Sequence, residues 1–99
     1  MHNFTMNKET LLNLLKEENY PAHMIENTIA KLEKLQPSVD AMFSTWVNTG
    51  KIPTVSIEGY TYSTLVRDYG MKPVGAFLTL DWLVREPERA SASLKRGIR

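Results

Sequence analysis

Residues 73–85 read PVGAFLTLDWLVR, and this stretch decides the fold because it is apolar on almost every side. Only Thr79, Asp81 and Arg85 interrupt the apolar side chains. A helix with this pattern is buried at the centre of a domain or covered by a partner. Pro73 suits the first turn of a helix, where its missing N–H costs nothing. The sequence therefore predicts a central helix over 73–85 against which the rest of the chain packs.

Amphipathic segments lie on both sides of this central helix along the chain. Apolar side chains spaced three and four residues apart predict helices over about 8–18, 22–35 and 37–49. A helix of about two turns ends near Tyr69, and a last helix begins at Pro87. We therefore predict an all-α fold, a compact orthogonal array of five or six short helices.

Capping residues and glycines mark where these helices begin and end. Short polar side chains are expected to accept backbone N–H groups at helix starts, and glycines are expected to adopt a left-handed conformation at helix ends. The predicted caps and stops are Asn7, Gly50, Thr61 or Ser63, and Gly70. Residues 1–6 and 97–99 are expected to be frayed.

Residues 51–60 do not follow the helical pattern. Ile52 and Val55 occur beside Pro53, which favours a short extended segment near residues 54–57. One strand alone forms no sheet, so its backbone groups must pair with a second copy or find other partners across the helices. We expect this segment to be a connector.

Composition limits the class of protein. The chain has 99 residues, 42% hydrophobic and 23% charged, which is typical of one globular domain over 1–99. It has no Cys, which excludes a disulfide framework and a thiol nucleophile and fits a cytoplasmic protein. We expect neither export nor a membrane partner, because no signal-peptide pattern or long apolar run occurs. The net charge of +1 is small for a dedicated nucleic-acid-binding domain.

Few residues are candidates for catalysis or ligand binding. His2 and His23 are the two histidines, and we expect His2 to be frayed and His23 to be exposed. The five glycines form no phosphate-binding loop, and no histidine pair has metal-binding spacing. We therefore predict no catalytic residue, no metal, no cofactor and no small-molecule substrate.

Two residues of the central helix depart from its apolar pattern. A buried carboxylate at Asp81 is costly unless it is paired, and the candidate partners are Arg85, one turn later, and Arg67 in the preceding helix. Gly75 is unfavourable inside a helix by about 1 kcal/mol relative to alanine. It therefore indicates close packing against another helix.

The stretch YSTLVRDYGMKPVGAFLTLDWL, residues 62–83, resembles the helix-turn-helix unit of small bacterial and phage regulators. Leu65 and Val66 lie inside a short helix, Gly70 and Met71 belong to the turn, and the second helix begins after Lys72. The resemblance covers about a fifth of the chain. It implies that the second helix reads base edges through Lys72, Pro73, Val74, Phe77, Leu78 and Asp81.

Several of these positions depart from the pattern of a DNA reader. Val74, Phe77 and Leu78 are apolar and Asp81 would repel phosphates, whereas base readout uses polar or basic side chains. The two helices therefore serve either as a reader or only as a scaffold. Residues 88–99 carry a local charge of +3. DNA binding is the alternative function, and its expected contacts are Lys72, Arg89, Lys95 and Arg96.

The apolar side chains of the central helix suggest a different function. If Val74, Phe77, Leu78 and Trp82 are not all covered by the first three helices, they form a patch with an aromatic centre, typical of a protein interface. If they are covered, they are core residues. The interface hypothesis predicts a small cytoplasmic, non-enzymatic protein that binds another protein or a second copy of itself.

Overall fold

A computed structural model describes residues 8–97, which fold into six helices. The helices are α1 (Lys8–Glu17), α2 (Ala22–Leu32), α3 (Pro37–Thr49), α4 (Tyr62–Arg67), α5 (Pro73–Arg85) and α6 (Pro87–Lys95). Their Cα radius of gyration is 13.0 Å. The predicted compact all-α fold is confirmed. The predictions for residues 1–6, Asn7, and residues 98 and 99 lie outside the described residues.

Local sequence signals begin and end these helices. The hydroxyl of Thr61 accepts the backbone N–H of Thr64 at 3.1 Å, so Thr61 rather than Ser63 caps α4. Gly50 has a φ of +77°, the left-handed conformation predicted for it. The second helix ends at Leu32, before the predicted end at residue 35, because Pro37 keeps the preceding residue out of a helical conformation and a turn leads into it.

The central helix is α5, which packs against α3, α4 and α6. Phe77 is fully buried, and its ring centroid lies 5.1 Å from that of Phe43 and 4.9 Å from that of Tyr62. Aromatic pairs at this separation stabilise a core beyond the area they bury. The prediction of a central apolar helix is confirmed. Other fully or almost fully buried core residues are Leu11, Leu15, Ile29, Leu32, Val39, Leu65, Leu80, Leu83 and Leu94.

At two helices, α3 and α5, a side chain that is distant in sequence accepts a backbone N–H at the helix start. Each has proline at its first position, and the side chain of its N-cap residue makes no capping hydrogen bond. At α3, Oδ1 of Asp81 accepts the N–H of Gln36 at 2.7 Å. At α5, Oε1 of Glu18 accepts the N–H of Val74 at 3.2 Å. A carboxylate is favoured at the positive end of a helix, so each contact ties a helix start to a distant residue.

The carboxyl of Glu18 is partly removed from water. Its Oε2 is buried and has no hydrogen-bond partner in the described part of the chain, while the ammonium of Lys72 donates to the Glu18 carbonyl oxygen at 2.7 Å. Burial raises the pKa of Glu18 above its usual value of 4.5, and the N–H of Val74 and the charge of Lys72 offset only part of that effect.

Residues 51–60 form an irregular connector between α3 and α4, as expected. Residues 8–97 contain no strand, and the only bridge within this part of the chain is a tight turn in which Ile57 and Tyr60 exchange backbone hydrogen bonds. Ile52 and Val55 are exposed on the connector. The extended segment predicted near residues 54–57 forms no strand in this part of the chain, and its proline and β-branched residues disfavour a helix.

The prediction that Gly75 marks close helix packing is wrong. A Cβ built at this position meets no atom within 4 Å. Neighbouring side chains therefore do not require glycine here, and the backbone is ordinary helix.

Candidate functional site

The four residues of the predicted interface lie in two different environments. Val74 and Phe77 are fully buried in the core. The prediction that these two residues belong to an interface is wrong, because α3 and α4 already cover that side of α5. Leu78 and Trp82 are only half-buried. The apolar surface available to a partner is therefore smaller than predicted.

The helix-turn-helix resemblance implies that largely the same side of α5 faces DNA, because Val74, Phe77 and Leu78 belong to both predictions. Helices α4 and α5 do pack against each other on either side of a short turn. Val74, Phe77 and Asp81 are buried, however, so these three side chains do not face a DNA groove. The implied role of these three positions in base readout is therefore wrong for the folded chain.

The basic residues predicted to contact DNA are all exposed. The ammonium of Lys72 is engaged with the carbonyl of Glu18, and Arg89 pairs with Glu86 at 3.3 Å on the surface. Arg96 donates to the hydroxyl of Ser93 within its own helix. Three of these four basic side chains therefore have partners within the fold. The fourth, Lys95, is exposed on α6.

The half-buried residues Leu78 and Trp82 line an open groove of about 560 Å³ between the end of α2 and one side of α5. This volume lies within the range of about 300–1,000 Å³ that is usual for small-ligand sites. We call it the α2–α5 groove, and its lining residues are Lys31, Lys34, Leu78, Thr79, Asp81, Trp82 and Arg85.

Helical spacing brings these side chains together. Leu78, Trp82 and Arg85 are four and three residues apart, so they share one side of α5. Lys31 and Lys34 are three residues apart at the end of α2 and face them. The result is an apolar surface with an aromatic ring, bordered by cations.

Asp81 and Arg85 form an ion pair within α5, and each also makes a hydrogen bond to the opposite wall of the groove. Nε of Arg85 lies 2.6 Å from Oδ2 of Asp81, and Nη2 of Arg85 donates to the carbonyl oxygen of Lys34. Oδ1 of Asp81 accepts the N–H of Gln36, as described above. Of the two candidate partners for Asp81, the structure selects Arg85. The hydrogen bonds to Gln36 and Lys34 connect α5 to the turn between α2 and α3, and the carboxylate of Asp81 has a partner on each oxygen.

A hydrogen bond at the edge of the indole ring orients Trp82. Its indole N–H donates to Oε1 of Glu86 at 2.8 Å. This hydrogen bond, aided by Arg89, lowers the pKa of Glu86 below its usual value of 4.5. With the N–H satisfied, the ring presents an ordered apolar surface to the groove.

Catalytic groups do not converge on the α2–α5 groove. His23 is exposed on α2, as predicted, and is not among the lining residues. Within residues 8–97, no group of three or more His, Asp or Glu side chains is placed to hold a metal ion. No helix in this part of the chain is long and apolar enough to cross a membrane.

Sequence reasoning missed Lys31 and Lys34 as site residues. Their position on the polar side of an amphipathic helix is typical of any solvated surface. The signal available was their location in the last turn of α2 and just beyond it, but the sequence did not show that this end meets Arg85.

A scan against protein-family models and searches of curated proteins and solved structures found nothing that matches this chain.

Proposed function

We propose that this protein is a non-enzymatic binding module that receives a segment of another protein in the α2–α5 groove. One observation carries the proposal: Leu78 and Trp82 are partly exposed side by side in a groove that is bordered by Lys31, Lys34 and Arg85. Protein interfaces are typically built from aromatic and arginine side chains at an apolar centre with a polar rim.

Side chains that line the groove are already held in place, which favours binding to a preformed site. Asp81 and Arg85 connect the two walls through their hydrogen bonds with Gln36 and Lys34, and a hydrogen bond to Glu86 orients the ring of Trp82. A site whose side chains are already held loses less conformational entropy when a partner binds. Truncation of a tryptophan at the centre of an interface commonly costs about 2 kcal/mol or more, which is a loss of about 30-fold in affinity.

A library of random peptides displayed on phage tests the proposal while the partner is still unidentified. We expect wild-type protein to enrich a family of peptides, and Leu78→Ala and Trp82→Ala to lose that enrichment. Ile52→Ala is the matched control, since it truncates an exposed apolar side chain on the connector, away from the groove. Circular dichroism establishes that each variant is folded.

Two outcomes would overturn the proposal. In one, wild-type protein enriches no peptide. In the other, Ile52→Ala reduces enrichment as much as the two groove variants do. Light scattering of the protein alone measures its oligomeric state. If wild-type protein is a dimer and Leu78→Ala and Trp82→Ala are monomers, the groove binds a second copy of the chain.

DNA binding through residues 62–83 and the basic C-terminal end is the weaker candidate. Burial of Val74, Phe77 and Asp81 removes the base-reading side of α5, although Lys95 and Arg96 are exposed. Binding of labelled duplex DNA that falls steeply with salt, and that Lys95→Ala with Arg96→Ala abolishes, would favour this function instead.

A further inference from the structure

The balance of charge in the α2–α5 groove is positive. Lys31, Lys34 and Arg85 contribute three cations, against which the lining has the one carboxylate of Asp81. Two helices end at this groove, and each C-terminus adds about half a negative charge. The sum remains positive, because Glu26 and Glu33 are not among the lining residues, and the carboxylate of Glu86 beside Trp82 is paired with Arg89.

The two lysines are the cations available to a ligand. Arg85 is already engaged by the carboxylate of Asp81 and the carbonyl of Lys34. The ion pairs found within residues 8–97 are Arg85–Asp81 and Arg89–Glu86, so neither Lys31 nor Lys34 has a carboxylate partner in that part of the chain. Both lysines are exposed at the rim, next to an apolar surface.

We infer that the segment bound in the α2–α5 groove is acidic, with an apolar side chain that packs on Leu78 and Trp82 and carboxylates on either side of it that pair with Lys31 and Lys34. This inference rests on the proposed function and names the chemistry of its partner. It follows from charge complementarity: an apolar centre selects the anchor, and the unpaired cations at the rim select the flanking charges.

A protein segment fits these features better than a nucleic acid does. Nucleic-acid sites present a series of cations that follows the phosphates. Here the carboxylate of Asp81 belongs to the wall, and the carboxylate of Glu86 holds the edge of the Trp82 ring. These two carboxylates interrupt the cations of the groove, which therefore form no continuous series that a phosphate backbone could follow.

Three synthetic peptides of equal length test the inference. Each has one phenylalanine as anchor, and its flanking residues are glutamate in the first, glutamine in the second and lysine in the third. We expect the glutamate peptide to bind about tenfold more tightly than the glutamine peptide at low salt, as two partly desolvated charge pairs predict. The difference is expected to shrink at high salt, and the lysine peptide is expected to bind most weakly.

Charge reversal in the protein gives the matched comparison. Lys31→Glu with Lys34→Glu is expected to reverse the preference, so that the lysine peptide binds more tightly than the glutamate peptide. Lys16→Glu with Lys95→Glu is the control, because it changes the net charge equally at two exposed sites that are not in the groove. The control is expected to retain the wild-type order of affinities.

The possible failures are distinguishable. Equal affinity for the glutamate and glutamine peptides, with binding still lost in Trp82→Ala, would overturn the acidic partner and leave the proposed function standing. Absence of binding by all three peptides, together with no enrichment from the random library, would overturn the proposed function itself. Duplex DNA that displaces the glutamate peptide and binds more tightly, in a manner that depends on Lys31 and Lys34, would overturn the inference in favour of a nucleic acid.

Discussion

Asp81 and Gln36 are joined by a hydrogen bond of 2.7 Å between a carboxylate oxygen and a backbone N–H, although 45 residues separate them. Gln36 immediately precedes Pro37, which has no N–H of its own to offer at the start of α3. The same carboxylate is paired with Arg85 at 2.6 Å. One side chain of α5 therefore contacts the start of α3 and also pairs with an arginine that lines the α2–α5 groove.

Loss of this carboxylate should destabilise the fold. We expect Asp81→Ala to lower the free energy of unfolding by about 2 kcal/mol, because it leaves the N–H of Gln36 and the guanidinium of Arg85 without their acceptor. Urea denaturation measures the change. Arg89→Ala, which breaks the exposed pair with Glu86, is the control and should cost less than about 0.5 kcal/mol. Equal losses in the two variants would contradict a special role for Asp81.

Phe77 and Leu78 are neighbours in sequence that should respond differently to truncation. Phe77 is fully buried among aromatic rings, so Phe77→Ala is expected to cost about 3–4 kcal/mol of unfolding free energy. Leu78 is half-buried in the groove, and Leu78→Ala is expected to cost about 1 kcal/mol. Thermal and urea denaturation test both values. A cost for Leu78→Ala as large as that for Phe77→Ala would place Leu78 in the core.

Gly75 and Gly50 provide a comparison in which backbone conformation is the main difference. A Cβ at either position meets no atom within 4 Å. Gly75→Ala is expected to stabilise the protein by about 0.5 kcal/mol, since alanine favours helix and limits the unfolded chain. Gly50→Ala is expected to destabilise it by about 1 kcal/mol, because φ is +77° there. Melting temperatures that shift in the same direction for both variants would refute this explanation.

Ser44 is a buried serine in α3. Among residues 8–97 its Oγ has no hydrogen-bond partner, and the residue is fully buried. Ser44→Ala removes a desolvated polar group and is expected to raise the unfolding free energy by about 1 kcal/mol. The comparison is Ser93→Ala, which removes a buried hydroxyl that accepts from Arg96 at 3.3 Å and is expected to lower stability slightly. A loss of stability in Ser44→Ala would mean that its hydroxyl has a partner in solution.

Glu18 should make stability depend on pH. Since burial raises its pKa in the folded state, folding favours the protonated carboxyl, and its ionised form at neutral pH opposes folding. Stability contributed by this group therefore increases as pH falls through the raised pKa, and the increase is complete below 4.5. Wild-type protein is expected to gain stability relative to Glu18→Gln between pH 7 and pH 4 in urea denaturation.

A neighbouring carboxylate controls for net charge in that experiment. Glu17→Gln removes an exposed negative charge at the last residue of α1, next to Glu18. The same pH-dependent difference in Glu17→Gln would show that the effect arises from overall charge rather than from the position of Glu18 at the start of α5.

The sequence was sufficient to predict the helices but not all of their contacts. The apolar residues of 73–85 predicted the central helix because burial of such a surface is required in any arrangement. The partner of Asp81 was narrowed to Arg85 or Arg67, and the nearer one in sequence proved correct. Local reasoning succeeded where the interacting residues lie within one helical turn.

Long-range contacts account for what was missed. Periodicity did not show which side of α5 would be covered, so Val74 and Phe77 were grouped with Leu78 and Trp82 although they point into different environments. Lys31 and Glu18 carried no local sign of their roles, because each depends on an element far along the chain. The prediction for Gly75 was wrong because it explained an unfavourable glycine in a helix by close packing, and no neighbouring atom lies near this position.

The long-range caps of α3 and α5 affect the order in which the parts of the chain fold. A fragment that stops at Thr49 contains three complete amphipathic helices, yet it lacks the carboxylate of Asp81 that completes the start of α3. In turn, α5 lacks its own cap until the end of α1 is in place to supply Glu18. Neither half of the molecule holds all the groups that cap its helices in the folded chain, so we expect the start of α3 to reach its final form only when α5 is present.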